Sequence, residues 1–468
     1  MDKGIAYLEL TEIAELIRTR RVTSTEVTNV LLERIAALDP QLQAYATVTR
    51  DRALSDAATA DAEIDRGHYR GALHGVPIAL KDLVHTAGIT TTAGTTVYQD
   101  FVPDRDGTVA ARLRAAGAVL LGKLRMTEGA FSAHHPDLPT PVNPWDRDTW
   151  SGVSSSGSGV AVAAGLAFGA LGSDTGGSIR LPSGANGVTG LKPTWGRVSR
   201  AGIFDLAPSL DHIGPMTRSA RDAAVILETI AGWDPADATT STKAVPAYSQ
   251  SLRLDSLPVV GVDRVLNATF DSESQEMLAA VEQALSNLGW RIVEITTPDF
   301  SAVADDWSAM CGAEAALVHE ATYPDRKSEY GPVLADLIEL GRSLSAVDLE
   351  RMSQRRRKFS GSMNRLMDDI DILLLPSVGT ASPTIAEMDG LEAGTELFTR
   401  ATGPPAPIVL GGLASLTRPG GFIESGTPLG VQFVGPQFSE DKLLAAGDAF
   451  QHATDHHRRH PALDNPES

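Results

Sequence analysis

Between Ser151 and Arg197 the chain reads S-G-V-S-S-S-G-S-G-V-A-V-A-A-G-L-A-F-G-A-L-G-S-D-T-G-G-S-I-R-L-P-S-G-A-N-G-V-T-G-L-K-P-T-W-G-R. No other stretch limits the fold as tightly. A Ser/Gly loop over 151–159 leads into an apolar segment of small residues, Val160 to Gly172, and a second Gly/Ser turn runs from Ser173 to Arg180. Glycine accepts backbone conformations that a Cβ forbids, so such loops can aim successive N–H groups and hydroxyls at one bound group. A flexible linker of similar composition would not enclose an apolar core segment.

The chain around it has 468 residues, 42% of them hydrophobic, enough to bury a large core. Its formal charge of −19 disfavours a nucleic-acid partner. The one dense basic run, Arg355 to Lys358, reads as a solvated helix face. A single cysteine, Cys311, excludes an internal disulfide and fits a reducing compartment. The opening M-D-K-G-I-A-Y-L-E-L lacks the apolar run of a signal peptide, and no stretch has transmembrane length. A cytoplasmic protein with no nucleic-acid or membrane partner is expected.

Residues 1–70 read as a helical segment packed on the core. Thr23 and Glu26 have capping-box spacing, Val27, Val30, Leu31, Ile35 and Leu38 follow with helical period, and Pro40 lies just past the expected end. Gly75 to Leu80 predicts a short buried strand ending at Lys81. Lysine is rarely buried unless paired or functional, and pairing with Asp82 at the surface is the alternative. Gly117 to Leu124 nearly spells a phosphate loop, but Leu124 stands where a hydroxyl is needed and the intervening residues are apolar, so a strand is predicted.

Beyond Arg197, apolar runs at Pro258–Val262, Ile370–Leu375 and Gly430–Val434, with alternation over Trp290–Ile295, predict strands. Helical patterns over Glu273–Leu288 and Pro332–Gly341 lie between them. The alternation predicts an α/β fold. We expect one large α/β/α domain over 71–455, with a central mixed sheet covered by helices on both faces, and a polar tail over 456–468.

Several catalytic arrangements are excluded. No G-x-S-x-G elbow surrounds any serine of the 151–197 stretch. The S-x-x-K at Ser439–Lys442 reads as a helix N-cap followed by acidic Glu440 and Asp441. His134 and His135 lack a third ligand, and His319-Glu320 fails as H-E-x-x-H at Tyr323, so neither metal nor cofactor is expected. What remains is a serine activated by a lysine, since a hydroxyl is a weak nucleophile until a base takes its proton. Ser178 lies in T-G-G-S, where the N–H groups of Thr175, Gly176, Gly177 and Ser178 are candidate oxyanion donors.

Three motifs in order now become specific: G-V-P-x-x-x-K-D at Gly75–Asp82, a loop close to G-G-S-S-G-G-S near Ser154, and D-T-G-G-S-I-R-x-P at Asp174–Pro182 running on to G-L-K-P-T-x-G-R at Gly190–Arg197. In these the chain resembles the amidase signature family, and a fainter likeness extends through Leu373–Pro376 and Pro428–Pro436. The resemblance implies a Ser–cis-Ser–Lys triad: Ser178 as nucleophile, Ser154 as the bridging serine after a cis peptide, and Lys81 as base. Asp174 and Arg180 would hold the turn. Substrate contacts are placed at Met126, Ser155 and Cys311, with specificity in Met126–Pro141 and Trp307–Glu314. Val153 and Ser156 stand where the family has glycine.

The implied reaction is hydrolysis of a C–N bond in small amides or carbamates (urethanes) through an acyl-enzyme. The alternative within the family is the glutaminase component of glutamyl-tRNA amidotransferase, which needs a partner. After Tyr330-Gly331-Pro332 the chain holds one arginine, Arg342, before Ser345, where that branch is expected to carry paired arginines. A homodimer is compatible with the sequence. Lys81 must be neutral to act as a base, which needs its pKa lowered from ~10.4 by ~2–3 units.

Overall fold

Apolar runs and helical periods assemble into one mixed sheet of eleven strands wrapped in helices, in a computed structural model that describes residues 2–250, 252–389 and 395–463. The last five residues of the expected tail, 464–468, lie outside the described residues.

The strands are β1 (Tyr45–Val48), β2 (Pro77–Lys81), β3 (Val119–Leu124), β4 (Gly169–Asp174), β5 (Thr189–Lys192), β6 (His212–Thr217), β7 (Val259–Val262), β8 (Arg291–Glu294), β9 (Ile372–Pro376), β10 (Ala414–Phe422) and β11 (Pro428–Gly435). They lie in the order β1-β3-β2-β4-β6-β5-β10-β11-β9-β7-β8. Pairings β3·β2·β4 and β9·β7·β8 are parallel, and the remaining neighbours are antiparallel. Every residue of β2 to β6, β9 and β11 is buried, which is why these strands read as continuous apolar runs rather than alternating ones. In β4, alternate positions point to opposite covers. A Cβ at Gly169 would meet Ile226 of the helix Ala220–Ile230, and one at Gly172 would meet Ser155 and Ile179.

The amino-terminal part is helical with one exception. The helix Ser24–Leu42 starts with the expected Thr23/Glu26 capping box but runs through Pro40 to a left-handed Gln43 cap. A proline in the last turn removes only a bond that the fraying end holds weakly. Residues 45–48, read as helical, instead form β1, paired antiparallel with β3 at the sheet edge. Its Y-A-T-V sequence has strand propensity, but four residues are too few for a period to show. At the other end His457 lies 3.3 Å from Glu9, and His460 stacks on Tyr7 at 3.8 Å, so the tail through Leu463 folds back onto the first helices. Ser439 is the N-cap of Glu440–Thr454, yet its hydroxyl donates to Pro436 O instead of capping. Among the described residues no helix is long and apolar enough to cross a membrane.

Two features of this topology locate the site. β2 and β4 are parallel neighbours, with Leu80 beside Leu171, so both chains leave the sheet at the same end. The helix Ser156–Ala163 leads into β4 and presents its amino terminus there. Open α/β sheets bind ligands at such carboxyl ends.

Candidate active site

Lys81 ends β2 with no exposed surface. Asp82 does not pair with it: that carboxylate lies 3.2 Å from Lys123, also fully buried, on the neighbouring strand β3. Lys81 Nζ lies 2.7 Å from Ser154 Oγ, 2.9 Å from Ser155 Oγ and 2.8 Å from Ser173 Oγ. Burial lowers its pKa to about 7, against the upward pull of Asp211 and Asp174. A neutral amine donates two hydrogen bonds and accepts one. Ser155 gives its proton to Ser173 O at 3.2 Å, so it accepts from the amine, which leaves Ser154 or Ser173 to donate to the lone pair.

The serine loop brings Ser154 to that amine. A cis peptide joins Val153 to Ser154. Thr127 N donates to Ser154 O at 3.2 Å, anchoring the loop from the Met126 segment. Val153 is half-buried at the rim of the loop, where a side chain is accommodated. Ser156, the other departure from glycine, is hydrogen-bonded to His134 Nε2 at 3.2 Å. Burial depresses that imidazole to about 4, which keeps it neutral around pH 7.

The T-G-G-S turn is built around one carboxylate. Asp174 accepts from Gly177 N (2.8 Å), Ile179 N (3.1 Å), and Arg180 Nε (2.9 Å) and Nη2 (2.8 Å). Arg180 Nη1 continues to Pro405 O at 2.8 Å and Gln432 Oε1 at 3.1 Å. Burial works to raise the Asp174 pKa, but the Arg180 guanidinium overrides it and holds the carboxyl at about 2. Gly177 adopts φ +132°, a conformation open to glycine, and its N–H turns inward to Asp174. The expected donor Gly177 is therefore occupied. Among the described residues the N–H groups of Gly176 and Ser178 make no hydrogen bond. Ser178 is half-buried, its Oγ makes no hydrogen bond among them, and its carbonyl accepts from Ser155 N at 3.3 Å. An accessible hydroxyl thus stands in a turn with two free N–H groups, tied by its backbone to the loop that meets a near-neutral lysine.

The sequence model of the amidase family matches residues 26–444. This chain belongs to the amidase signature family. It is a carbon–nitrogen hydrolase. It is 52% identical over 462 residues to the putative amidase AmiD of Mycobacterium tuberculosis, covering 99% of this chain and 97% of the relative. It is 38% identical over 490 residues to the glutaminase component (GatA) of the glutamyl-tRNA(Gln) amidotransferase of Moorella thermoacetica, covering 98% and 99%. The crystal structure of the peptide amidase from Stenotrophomonas maltophilia superposes with a TM-score of 0.84 at 31% identity, over 97% of this chain and 98% of the other.

The remaining expected site residues of this amidase fall less uniformly. Ser155, expected at the substrate, has its hydroxyl committed to Lys81 and Ser173 beneath the loop, with no exposed surface. Met126 is buried, and its backbone is hydrogen-bonded to His134. Cys311 is fully buried in the helix Ser301–Val318, and burial pushes its thiol well above the usual value. One helical turn earlier, Trp307 reaches the turn that Cys311 does not: its Nε1 donates to Thr175 O at 2.9 Å. A second contact also holds the turn. Thr175 Oγ1 donates to Asp211 at 2.6 Å, and burial together with neighbouring Asp205 raises Asp211 well above the carboxylate range. Asp211 lies 36 positions from Thr175, a separation with no local signature in the sequence. The histidines weighed as metal ligands have structural partners: His135 Nε2 is hydrogen-bonded to Glu329 O, and His319 Nδ1 to Tyr330.

Proposed function

We propose that this amidase hydrolyses small amides or carbamates on its own, through an acyl-enzyme on Ser178. The observation that carries the reading is a buried lysine held near neutrality, 2.7 Å from the Ser154 hydroxyl. Neutral Lys81 takes a proton from Ser154 as Ser154 takes one from Ser178, and Ser178 Oγ attacks the carbonyl carbon. The oxyanion faces the unpaired N–H groups of Gly176 and Ser178, which stabilise charge that develops only in the transition state. The relay returns a proton to the leaving nitrogen as the C–N bond breaks. Water then attacks the acyl-enzyme with the same groups as base and acid.

The test is amine release by the purified chain from a matched aryl amide and aryl carbamate, with Ser178→Ala as the blank. Turnover absent from the blank supports the reading, and the amide-to-carbamate ratio identifies the preferred bond. The second reading, the glutaminase component of an amidotransferase, is favoured by the near full-length similarity to that protein. It predicts silence on both compounds and glutaminase activity only with a partner supplied.

Two further outcomes follow from the geometry. Ser154→Ala is expected to slow turnover ~10²–10⁴-fold, the range for losing a positioned proton-transfer group. Full activity in that variant removes the bridging role. A base works only when unprotonated, so kcat/KM should rise with pH through about 7 and level off above it. A profile flat from pH 5 to 9 for the chemical step would remove Lys81 as the titrating base.

A further inference from the structure

Two aromatic rings lie beside the unpaired N–H of Gly176, and nothing in the relay uses them. Trp307 is set by its helix, Ser301–Val318, which the bidentate Arg355–Asp306 pair (2.7 and 2.7 Å) and the Ser209 N–Glu314 bond (2.8 Å) fasten to the rest of the fold. Its indole donates to Thr175 O, and a Cβ on Gly176 would fall 2.6 Å from its Cε2, so the ring rests on the backbone of the turn. Only glycine leaves room for that approach. Phe131 stacks on Trp307 with centroids 6.1 Å apart and planes 24° apart. Thr127, whose N–H holds Ser154 O, also fixes Phe131 by donating from Oγ1 to Phe131 O at 2.6 Å. The two rings are thus mounted on the two segments that place the two serines. Both remain half-buried, although large apolar side chains gain from full burial.

We propose that Trp307 and Phe131 form an aromatic wall of the substrate cleft, selecting amides with a flat, apolar substituent beside the scissile carbonyl over small polar amides. The proposal rests on the hydrolase reading above and names its substrate class. A carbonyl oxygen directed at the Gly176 N–H brings its substituents within reach of the indole that covers Gly176. Stacking such a substituent completes the burial of both rings and adds the offset-stacking attraction between aromatic faces. A small polar amide gains neither. Trp307 has a second duty in the same place, because its N–H holds Thr175 O, and the two duties separate chemically. Phenylalanine keeps a ring and loses the N–H, whereas leucine loses both.

The measurement is kcat/KM for benzamide and acetanilide against acetamide. In Trp307→Leu the ratio of the better aryl amide to acetamide should fall ~10–100-fold, while in Trp307→Phe it should stay within ~3-fold of the parent value even as both rates drop. Phe131→Leu, which leaves the Trp307–Thr175 bond in place, should also lower the ratio. It reads the wall independently if Trp307→Leu does not fold, as judged by circular dichroism. A ratio preserved in both leucine variants overturns the proposal and leaves Trp307 as a support of the Thr175 turn alone. Binding of benzamide to the Ser178→Ala protein, followed by titration calorimetry, should weaken in Trp307→Leu by a similar factor. That readout needs no turnover, so absence of amide hydrolysis in the parent protein would sink the hydrolase reading without deciding the wall.

Discussion

Lys81→Met is expected to lower turnover ~10²–10⁴-fold, and adding it to Ser178→Ala is expected to cost nothing more. The first expectation follows from position. Among the described residues Lys81 Nζ is the one basic group in contact with Ser154 Oγ, and its burial, which would be costly for a permanent charge, holds it near neutrality. The second follows from the relay. With no hydroxyl at position 178 there is no proton for Ser154 and Lys81 to move, so their contributions vanish together rather than multiplying. Single-turnover rates for the two single variants and the double variant, scored per folded molecule, form the cycle. Independent, multiplying losses would mean that Lys81 acts outside the path of the Ser178 proton. Stability separates the two residues as well. Ser178 Oγ has no hydrogen-bond partner among the described residues, so its removal leaves nothing buried unsatisfied. Methionine at 81 deprives the hydroxyls of Ser154, Ser155 and Ser173 of their shared amine, and a loss of about 1–3 kcal/mol is expected in urea unfolding.

Arg180→Met is expected to have the largest effect on the fold, about 3–5 kcal/mol, because removing one partner of a buried ion pair leaves the other charge uncompensated. Arg180 and Asp174 are both fully buried, and Arg180 also serves Pro405 O and Gln432 Oε1, so three acceptors lose their donor at once. Chemistry should fail with stability, since Asp174 orients Gly177 and Ile179 on either side of Ser178. The pair also has a pH signature. Asp174 is depressed from 3.8 to about 2, so its contribution is complete above the ordinary carboxylate value and is lost as pH falls toward about 2. In Arg180→Met that acid limb should move upward. Denaturant midpoints at pH 7 and across pH 2–5 test both statements, and a cost below about 1 kcal/mol at pH 7 would show that the pair is not a structural keystone.

The parallel heart of this amidase was legible because strands buried on both faces carry continuous apolar residues, as β2, β3 and β9 do. The edge strand β1 was not. Four residues offer no period, and its pairing is made with β3, a strand distant in the chain. In the site, the motifs named Lys81, Ser154 and Ser178 from residue type and order, and the structure assembles the loop and turn that bear them at one end of the sheet. Residue type did not say how donors are shared out. Gly177 gives its N–H to Asp174, Ser155 spends its hydroxyl on Lys81 and Ser173, and of two residues on one helix Trp307 reaches the turn while Cys311 is enclosed.

The sequence by itself determined which groups exist and which segments must be buried, since both are properties of residue identity and local pattern. Only the tertiary structure decided which of those groups are free to act. Each buried donor and acceptor must find a partner, and the partners are supplied by segments tens to hundreds of residues away, as 73 positions separate Lys81 from Ser154 and 132 separate Thr175 from Trp307.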